Sequence, residues 1–134
     1  MNLTMKMKRT NLSSEVFAAY SFRIRAPSGT MFLVANESEG KLDNVQIYIG
    51  KTGSNLYAYV NAIADLINVA LANGASLEDI ISTLSNLTSD KVVYNENTPV
   101  RSDIDAIVFA FLRYKQQKFL EQKPSRKPYI RRLL

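Results

Sequence analysis

The sequence predicts an α+β domain, in which an N-terminal three-stranded antiparallel meander is followed by three helices packed on one sheet face. In the first half, apolar and polar side chains alternate with the two-residue period of half-buried strands, and short turns join these runs. In the second half, apolar residues recur at helical spacing behind serines that can cap helix N-termini. Strands followed by helices, instead of alternating with them, are typical of the α+β class.

Three strands are expected before residue 50. The first spans residues 17–25 and alternates between an apolar face and a polar face that carries Arg23 and Arg25. The second, Thr30–Ala35, is an unbroken apolar run and is predicted to be buried on both faces. A turn is predicted at Asn36–Lys41. The third strand alternates as well, with its apolar side chains at Val45, Ile47 and Ile49.

The most apolar helix is predicted within Gly50–Gly74, with Ser54 as its N-cap and the second glycine as its stop. One apolar stripe consists of Leu56, Val60, Ile63, Ile67 and Leu71. A second stripe beside it consists of Tyr59, Ala62, Leu66 and Val69. A helix that is apolar on two sides needs covering on both, so we expect a homo-oligomer, either a dimer or an assembly of dimers.

Two further helices are predicted after residue 75. Ser76 caps the second and Ser102 caps the third, where Asp105 takes the capping-box position. The polar stretch Thr88–Arg101 between them is predicted to be a loop, with a short extended piece at Val92–Tyr94. The core-facing residues of the second helix are Leu77, Ile80, Ile81, Leu84 and Leu87. Those of the third helix are Ile104, Ile107, Val108, Phe111 and Leu112.

Composition excludes several kinds of chemistry. The 134-residue chain has no Cys and no His, so disulfides, Cys/His zinc sites and His-based acid–base catalysis are not available. No nucleophile–base pair stands out, and we expect a non-enzyme without a cofactor or a metal. The N-terminus lacks the apolar stretch of a signal peptide, and no apolar run approaches the ~18 residues of a membrane span. We therefore expect a cytoplasmic protein without a membrane partner.

The net charge of +5 is concentrated at the two ends. Residues 1–9 carry +3, residues 10–112 carry −5, and residues 113–134 carry +7. This distribution predicts a basic N-terminal arm at residues 1–14, a domain at residues 15–122 and a basic C-terminal tail at residues 123–134. A mildly acidic middle argues against a duplex-binding core, and nucleic-acid binding through the tail stays possible.

Candidate ligand-binding residues include three arginines. Arg23 and Arg25 project from one strand face about 7 Å apart, and Tyr48 is expected to join them there. Two guanidiniums beside an aromatic ring suit a phosphate-bearing ligand. A solvated sheet face is the ordinary alternative for charged strand residues. Arg101, just before the cap of the third helix, is expected to point at the same anion, with an exposed loop residue as the alternative.

The other candidates lie in loops. Tyr94 is expected to stack on a base of the ligand, and Asn95 is expected to hydrogen-bond that base. The alternative for Tyr94 is that its ring covers the core, which is the more common role of a tyrosine at such a position. Gly50 and Gly53 flank Lys51 in a strand-to-helix turn whose free amides suit an anion. A plain tight turn before a capped helix is the alternative reading.

The run GKTGSNLYAYVNAIADLINVALANGASLEDIISTLSNL resembles the TSCPD domain, a module at the C-terminus of some B12-dependent ribonucleotide reductases that also occurs on its own. The resemblance extends upstream through RIRAPSGTMFLVANESEGKLDNVQIYIG and downstream to Ser102–Ile107, and it covers residues 20–115. Where the family reads S-C-P-D-A-I, this chain has Asp103 and Ile104 in place of the cysteine and proline. Any metal or redox role of that cysteine is therefore lost.

The resemblance implies a function in nucleotide biology. Stand-alone proteins similar to this chain include phage-encoded Thoeris anti-defence proteins, which are oligomeric sponges for cyclic ADP-ribose-type and cyclic nucleotide signals. We therefore expect a non-catalytic protein that sequesters such a signal, in the cytoplasm of an infected bacterium if a phage encodes it. Two alternatives stay open: an accessory domain related to the B12-dependent reductase, and a nucleic-acid-binding protein that acts through its basic ends.

Overall fold

The computed structural model describes residues 18–50 and 53–122. The predicted basic arm at residues 1–14, the whole predicted tail at residues 123–134, and Lys51 lie outside the described residues. The elements are β1 (Ala19–Ala26), β2 (Gly29–Ser38), β3 (Lys41–Tyr48), α1 (Asn55–Ala72), α2 (Leu77–Leu84), β4 (Val93–Asn95), β5 (Thr98–Val100) and α3 (Asp103–Gln122). The predicted α+β arrangement of an antiparallel meander followed by three helices is confirmed.

The main sheet has the order β1-β2-β3, and both pairings are antiparallel. Its inner face supplies much of the core, through Ile24, Ala26, Met31, Leu33, Ala35, Val45, Ile47 and Ile49. The prediction that the second strand is buried on both faces is wrong, because Phe32 on the outer face is 47 % exposed. Its apolar run instead alternates between a covered face and an open one.

The turn between β2 and β3 is tighter than the predicted Asn36–Lys41 loop. Glu39 and Gly40 form it with φ of 55° and 78°, the left-handed pair that a two-residue hairpin turn requires. The register shifts between Asn36 and Glu37, and after this irregularity Glu37 points into the interior, where it is 4 % exposed. A residue predicted in a solvated turn is therefore a buried carboxylate.

The predicted helix starts are confirmed. Ser54 caps α1 by accepting from the Tyr57 amide at 3.1 Å, and Ser76 and Ser102 cap the next two helices in the same way. α1 packs against β3, α3 packs against β1 and β2, and α2 lies against both helices. The buried helical side chains of the core are Val60, Ala64, Ile67, Ile80, Ala106, Ile107, Ala110, Phe111 and Tyr114.

Two residues of the predicted helical stripes face solvent instead. Leu87 lies beyond the end of α2 and is 48 % exposed. Leu112 is 49 % exposed, because the buried face of α3 continues through Tyr114. The third helix also runs on to Gln122, past the point at which its apolar pattern fades. None of the helices in the described part of the chain combines the length and apolarity of a membrane span.

An asparagine side chain closes each edge of the main sheet. At the β3 edge, Asn68 Oδ1 accepts from the Val45 amide at 2.7 Å and its Nδ2 donates to the Val45 carbonyl at 3.0 Å. At the β1 edge, Asn95 makes the same two hydrogen bonds to the Arg25 backbone, each 2.9 Å long. Each amide thus takes the place of a neighbouring strand, and it satisfies backbone groups that an edge leaves unpaired.

The segment before α3 contains more structure than the predicted loop. Thr98–Val100 pairs with β4 across a turn at Glu96 and Asn97, both of which have positive φ. The extended piece expected near residues 92–94 is confirmed as β4, and β5 was not predicted. The resulting hairpin is fixed beside β1 by the hydrogen bonds between Asn95 and Arg25.

The buried carboxylate of Glu37 is held by α3. The Tyr114 hydroxyl donates to Glu37 Oε2 at 2.5 Å, and Lys118 Nζ lies 3.0 Å from the same oxygen. Burial, together with the hydrogen bond to Glu37, raises the pKa of the Tyr114 phenol. The hydrogen bond to Glu37 also raises the pKa of Lys118. These contacts compensate the desolvation of the carboxylate and tie α3 to the bulged end of β2.

Tyr20 lies on the solvent side of the cluster formed by Glu37, Tyr114 and Lys118. Its ring meets the Tyr114 ring edge-on, with 5.5 Å between the ring centres. Its hydroxyl donates to Glu121 Oε1 at 2.7 Å. That hydrogen bond raises the pKa of Tyr20 and lowers the pKa of Glu121. Together the inner and outer contacts set the position of α3 over β1, where the candidate site lies.

Candidate functional site

A groove of about 340 Å³ runs between β1, the β4–β5 hairpin and α3. We call it the edge groove, and its lining residues are Arg23, Ile24, Arg25, Tyr94, Asn95, Glu96, Phe109 and Arg113. Four residues predicted from the sequence as ligand-binding therefore meet in one place, although about 70 residues separate the two pairs. Its charged side chains are three arginines and one glutamate, which leave a net charge of +2.

The third arginine of the edge groove comes from α3. Arg113 Nη2 lies 2.5 Å from Glu96 Oε1, and its guanidinium carbon lies 4.8 Å from the centre of the Phe109 ring. The aromatic ring one turn earlier on the helix thus supports the guanidinium through a cation–π contact. The ion pair itself is exposed, with side-chain accessibilities of 37 % for Arg113 and 76 % for Glu96. Exposed pairs of this kind contribute only about 0.2–1 kcal/mol, so an incoming anion can replace Glu96.

The hairpin presents Tyr94 beside the arginines. Tyr94 is 56 % exposed, so it is not a lid over the core. Its neighbour Asn95 is the residue that holds the hairpin, because both its amide oxygen and its amide nitrogen are bonded to the Arg25 backbone. This contact positions the Arg25 side chain and Tyr94 relative to each other. The expected hydrogen bond from Asn95 to a base stays a prediction, and it would have to share an amide already in use.

Tyr48 lies on the outer sheet face together with Arg23 and Arg25. In the sheet register Arg23 pairs with Phe32, and Phe32 pairs with Tyr48, so these three residues form a row across the sheet. We call Arg23, Phe32 and Tyr48 the aromatic row. Neighbouring strands are about 4.8 Å apart, which places Tyr48 about 10 Å from the Arg23 backbone. The predicted grouping of Tyr48 with the arginines thus has a geometric basis.

The strand-to-helix turn lies after β3, at the far side of the sheet from the edge groove. Gly50 has a φ of 79°, which favours glycine, and a Cβ atom there would lie 3.1 Å from Leu56 Cδ2. Gly53 also has positive φ. Unlike α2 and α3, α1 has no acidic residue in its first turn, which leaves its N-terminal end uncompensated. Anion binding by this turn and by Lys51 stays a prediction.

Arg101 is not among the residues that line the edge groove. It precedes the N-cap of α3, where its amide donates to Asp105 Oδ2 at 2.9 Å and its carbonyl accepts from Ser89. Phe109, which does line the groove, lies eight residues after Arg101, about 12 Å along the helix axis. The expected contact of Arg101 with an anion held at Arg25 therefore has no support from the geometry and stays a prediction.

The arginines of the edge groove suit the binding of a phosphate-bearing ligand. Guanidiniums donate hydrogen bonds in a planar fork and stay protonated, so they serve as phosphate ligands and not as proton-transfer groups at neutral pH. Tyr94 and Phe109 add ring surfaces on which a planar group can stack. Among residues 18–50 and 53–122, no three acidic, His or Cys side chains are grouped so that they could hold a metal ion.

Comparison with known proteins identifies the family to which the chain belongs. The family model of the TSCPD domain matches residues 4–115. The chain belongs to the TSCPD domain family. No curated protein and no solved structure matches it. The match spans every element from β1 to β5 and the first part of α3, so all residues of the edge groove lie within the TSCPD domain.

One position that departs from the expected TSCPD motif has a structural role here. Asp103, which stands where the family's cysteine is expected, accepts from the Ser28 amide at 3.0 Å and from the Ser28 hydroxyl at 2.5 Å. These bonds attach the β1–β2 turn to the start of α3. The carboxylate at this position is thus occupied in joining two parts of the domain.

Besides the buried Ile24, three groove residues were not predicted from the sequence as ligand-binding: Glu96, Phe109 and Arg113. Phe109 and Arg113 are four residues apart on α3, so their side chains are neighbours on one face of the helix. This i, i+4 spacing of an aromatic residue and an arginine was the signal in the sequence that could have identified the pair. The position of Glu96 gave no such signal, because it depends on the turn of a hairpin that was not predicted.

Proposed function

We propose that this TSCPD protein is a non-catalytic nucleotide-binding protein that sequesters a cyclic ADP-ribose-type or cyclic oligonucleotide signal. In this proposal it is a phage-encoded anti-defence sponge against Thoeris-type signalling and acts in the cytoplasm of the infected cell. The single observation that carries the proposal is the edge groove, where three arginines and two aromatic rings line one cavity.

The chemistry of the groove supports a phosphate-bearing ligand. Arg23 and Arg25 contribute charge from β1, and Arg113 contributes it from α3 on the opposite wall. Each charge-assisted hydrogen bond to a phosphate is worth roughly 1.5–3 kcal/mol. Tyr94, more than half exposed at the mouth of the groove, supplies the ring on which a base stacks. In this proposal the bound molecule leaves the groove chemically unchanged.

Calorimetry against cyclic ADP-ribose isomers and cyclic di- and trinucleotides tests the proposal. At least one ligand should bind with submicromolar to micromolar affinity, and Arg25→Ala should weaken it by about ten- to hundredfold. Arg113→Ala and Arg101→Ala should be compared in the same experiment, because only the former lines the groove. Binding no tighter than millimolar across the panel would contradict the proposal. In that case, co-purification with a reductase or salt-dependent polynucleotide binding would favour one of the two alternative functions.

We also propose that the protein is a homo-oligomer, a dimer or an assembly of dimers that covers α1. The second apolar stripe of this helix is open to solvent in the single chain, with Tyr59 65 %, Leu66 68 % and Val69 57 % exposed. An apolar groove of about 330 Å³ between α1 and α2 adjoins it and includes Leu66 in its lining. Exposed apolar surface on this scale favours association with a second copy.

A further inference from the structure

The outer face of the sheet carries two aromatic side chains that the edge groove does not contain. Phe32 on β2 and Tyr48 on β3 are 47 % and 44 % exposed, and they are direct cross-strand partners. Side chains in such a pair lie about 5 Å apart, so the two rings present one continuous apolar surface. A single exposed aromatic residue is ordinary, whereas two in register on an open face form a platform.

Arg23 joins this platform to the edge groove. It is the cross-strand partner of Phe32 on the β1 side, and it also lines the edge groove. The aromatic row and the edge groove therefore share one guanidinium-bearing residue. An anion held by Arg23 and Arg25 would lie between two aromatic surfaces, Tyr94 on the hairpin side and Phe32 on the sheet side.

The charge around the aromatic row fits the same kind of ligand. The outer-face positions next to the row are Ser21, Val34 and Gln46 on one side, and Arg25 and Thr30 on the other. None of these side chains is acidic, so this part of the face carries the two positive charges of its arginines. Phosphates flanked by planar bases complement an arrangement of cations flanked by rings.

We propose that Phe32 and Tyr48 form a second base-stacking surface, and that the ligand is a dinucleotide whose two bases flank its phosphates. This inference rests on the proposed nucleotide-binding function and narrows it. One base stacks at Tyr94 in the edge groove, the phosphates lie at Arg23 and Arg25, and the other base stacks on the aromatic row. A mononucleotide reaches only one of the two surfaces.

The dimensions of the face favour a dinucleotide over a longer strand. The aromatic row spans three strands, about 10 Å, and among residues 18–50 and 53–122 no further strand pairs with either edge of this sheet. Asn68 closes the β3 edge through Val45, and Asn95 closes the β1 edge through Arg25. A polynucleotide track would need stacking positions that repeat along a continuous basic groove.

The test compares two probes by calorimetry, cyclic di-adenosine monophosphate with two bases and two phosphates, and ADP with one base and two phosphates. The dinucleotide should bind at least about tenfold more tightly than ADP, because it makes one more base–aromatic stack. Phe32→Ala should weaken dinucleotide binding by about five- to hundredfold, the range expected for one lost base–aromatic stack. ADP binding should not change. Phe32→Tyr should restore dinucleotide affinity, and Phe119→Ala, which removes a ring 60 % exposed near the end of α3, should have no effect.

Several outcomes would overturn the inference. If ADP binds as tightly as the dinucleotide and Phe32→Ala affects neither, the second surface does not bind a base, while the proposed nucleotide-binding function stands. If no nucleotide binds, the proposed function and this inference fall together. If affinity instead rises steadily with the length of a single-stranded oligonucleotide, the face binds polynucleotides. If Phe32→Ala changes the molar mass in light scattering, the face is a subunit interface.

Discussion

Replacing Tyr114 by Phe should destabilise the protein, because it removes a buried hydroxyl group that donates a hydrogen bond to a carboxylate. The Tyr114 hydroxyl donates at 2.5 Å to Glu37, and the two residues are only 5 % and 4 % exposed. A hydrogen bond to a charged group contributes about 1.5–3 kcal/mol, and we expect a loss near 2 kcal/mol because Lys118 still pairs with the carboxylate at 3.0 Å. For a domain of this size, that loss corresponds to a decrease of roughly 5–10 °C in melting temperature.

Tyr20→Phe is the matched control for this substitution. It removes the same hydroxyl from the neighbouring ring, but that hydroxyl donates to Glu121, whose carboxylate is exposed and can be rehydrated. Its cost should be below about 1 kcal/mol. Thermal unfolding followed by circular dichroism measures both variants. A Tyr114→Phe melting temperature within about 2 °C of the wild type, or equal losses in the two variants, would refute the account of this cluster.

The same contacts predict how stability depends on pH. The pKa of Tyr114 is raised from its ordinary value of 10.0, and that of Lys118 from 10.5, so the folded state holds both protons more tightly than the unfolded state. The stability from these groups is fully present below the ordinary values and is lost as pH rises through the raised ones. Wild-type stability should therefore decrease above about pH 10. Tyr114→Phe should decrease less steeply, because phenylalanine does not titrate.

Three further predictions concern the groove, the tail and the oligomer. Glu96→Gln removes a competing carboxylate and should tighten nucleotide binding about two- to fivefold in calorimetry; weaker binding would show that Glu96 contacts the ligand favourably. Deleting residues 123–134 should leave the melting temperature within a few degrees, and a decrease of about 10 °C or more would show that the segment stabilises the fold. Leu66→Glu, at a position 68 % exposed in one chain, should convert the oligomer into monomers in light scattering, whereas an unchanged molar mass would exclude an α1 interface.

The parts of the fold that local patterns determine were predictable. Serines at Ser54, Ser76 and Ser102 mark helix starts because a side-chain oxygen can accept a backbone amide there, and all three do so. Long-range contacts decided the parts that were missed. Glu37 lies in a run of turn-like polar residues, and only its partner Tyr114, 77 residues later, accounts for its burial. The strand Thr98–Val100 is too short and too rich in proline for alternation to indicate it.

The candidate site was predictable to a similar extent. Strand alternation put Arg23 and Arg25 on one face, and the hairpin does bring Tyr94 beside them. The third arginine was assigned to position 101 because that residue precedes a helix start. Position 113 lines the groove instead, since the distance from the helix start to the groove is set by how α3 packs on β1. That packing depends on tertiary contacts and not on a local pattern.

The most direct test of the central claim is to recover the ligand after binding. The protein is incubated with the tightest-binding cyclic nucleotide of the panel, separated from free ligand by gel filtration, and heated to release what it holds. Mass spectrometry should then find the nucleotide chemically unchanged and stoichiometric with the chain, and Arg25→Ala should retain far less of it. Recovery of a hydrolysed product, or of no nucleotide from the wild-type protein, would contradict sequestration.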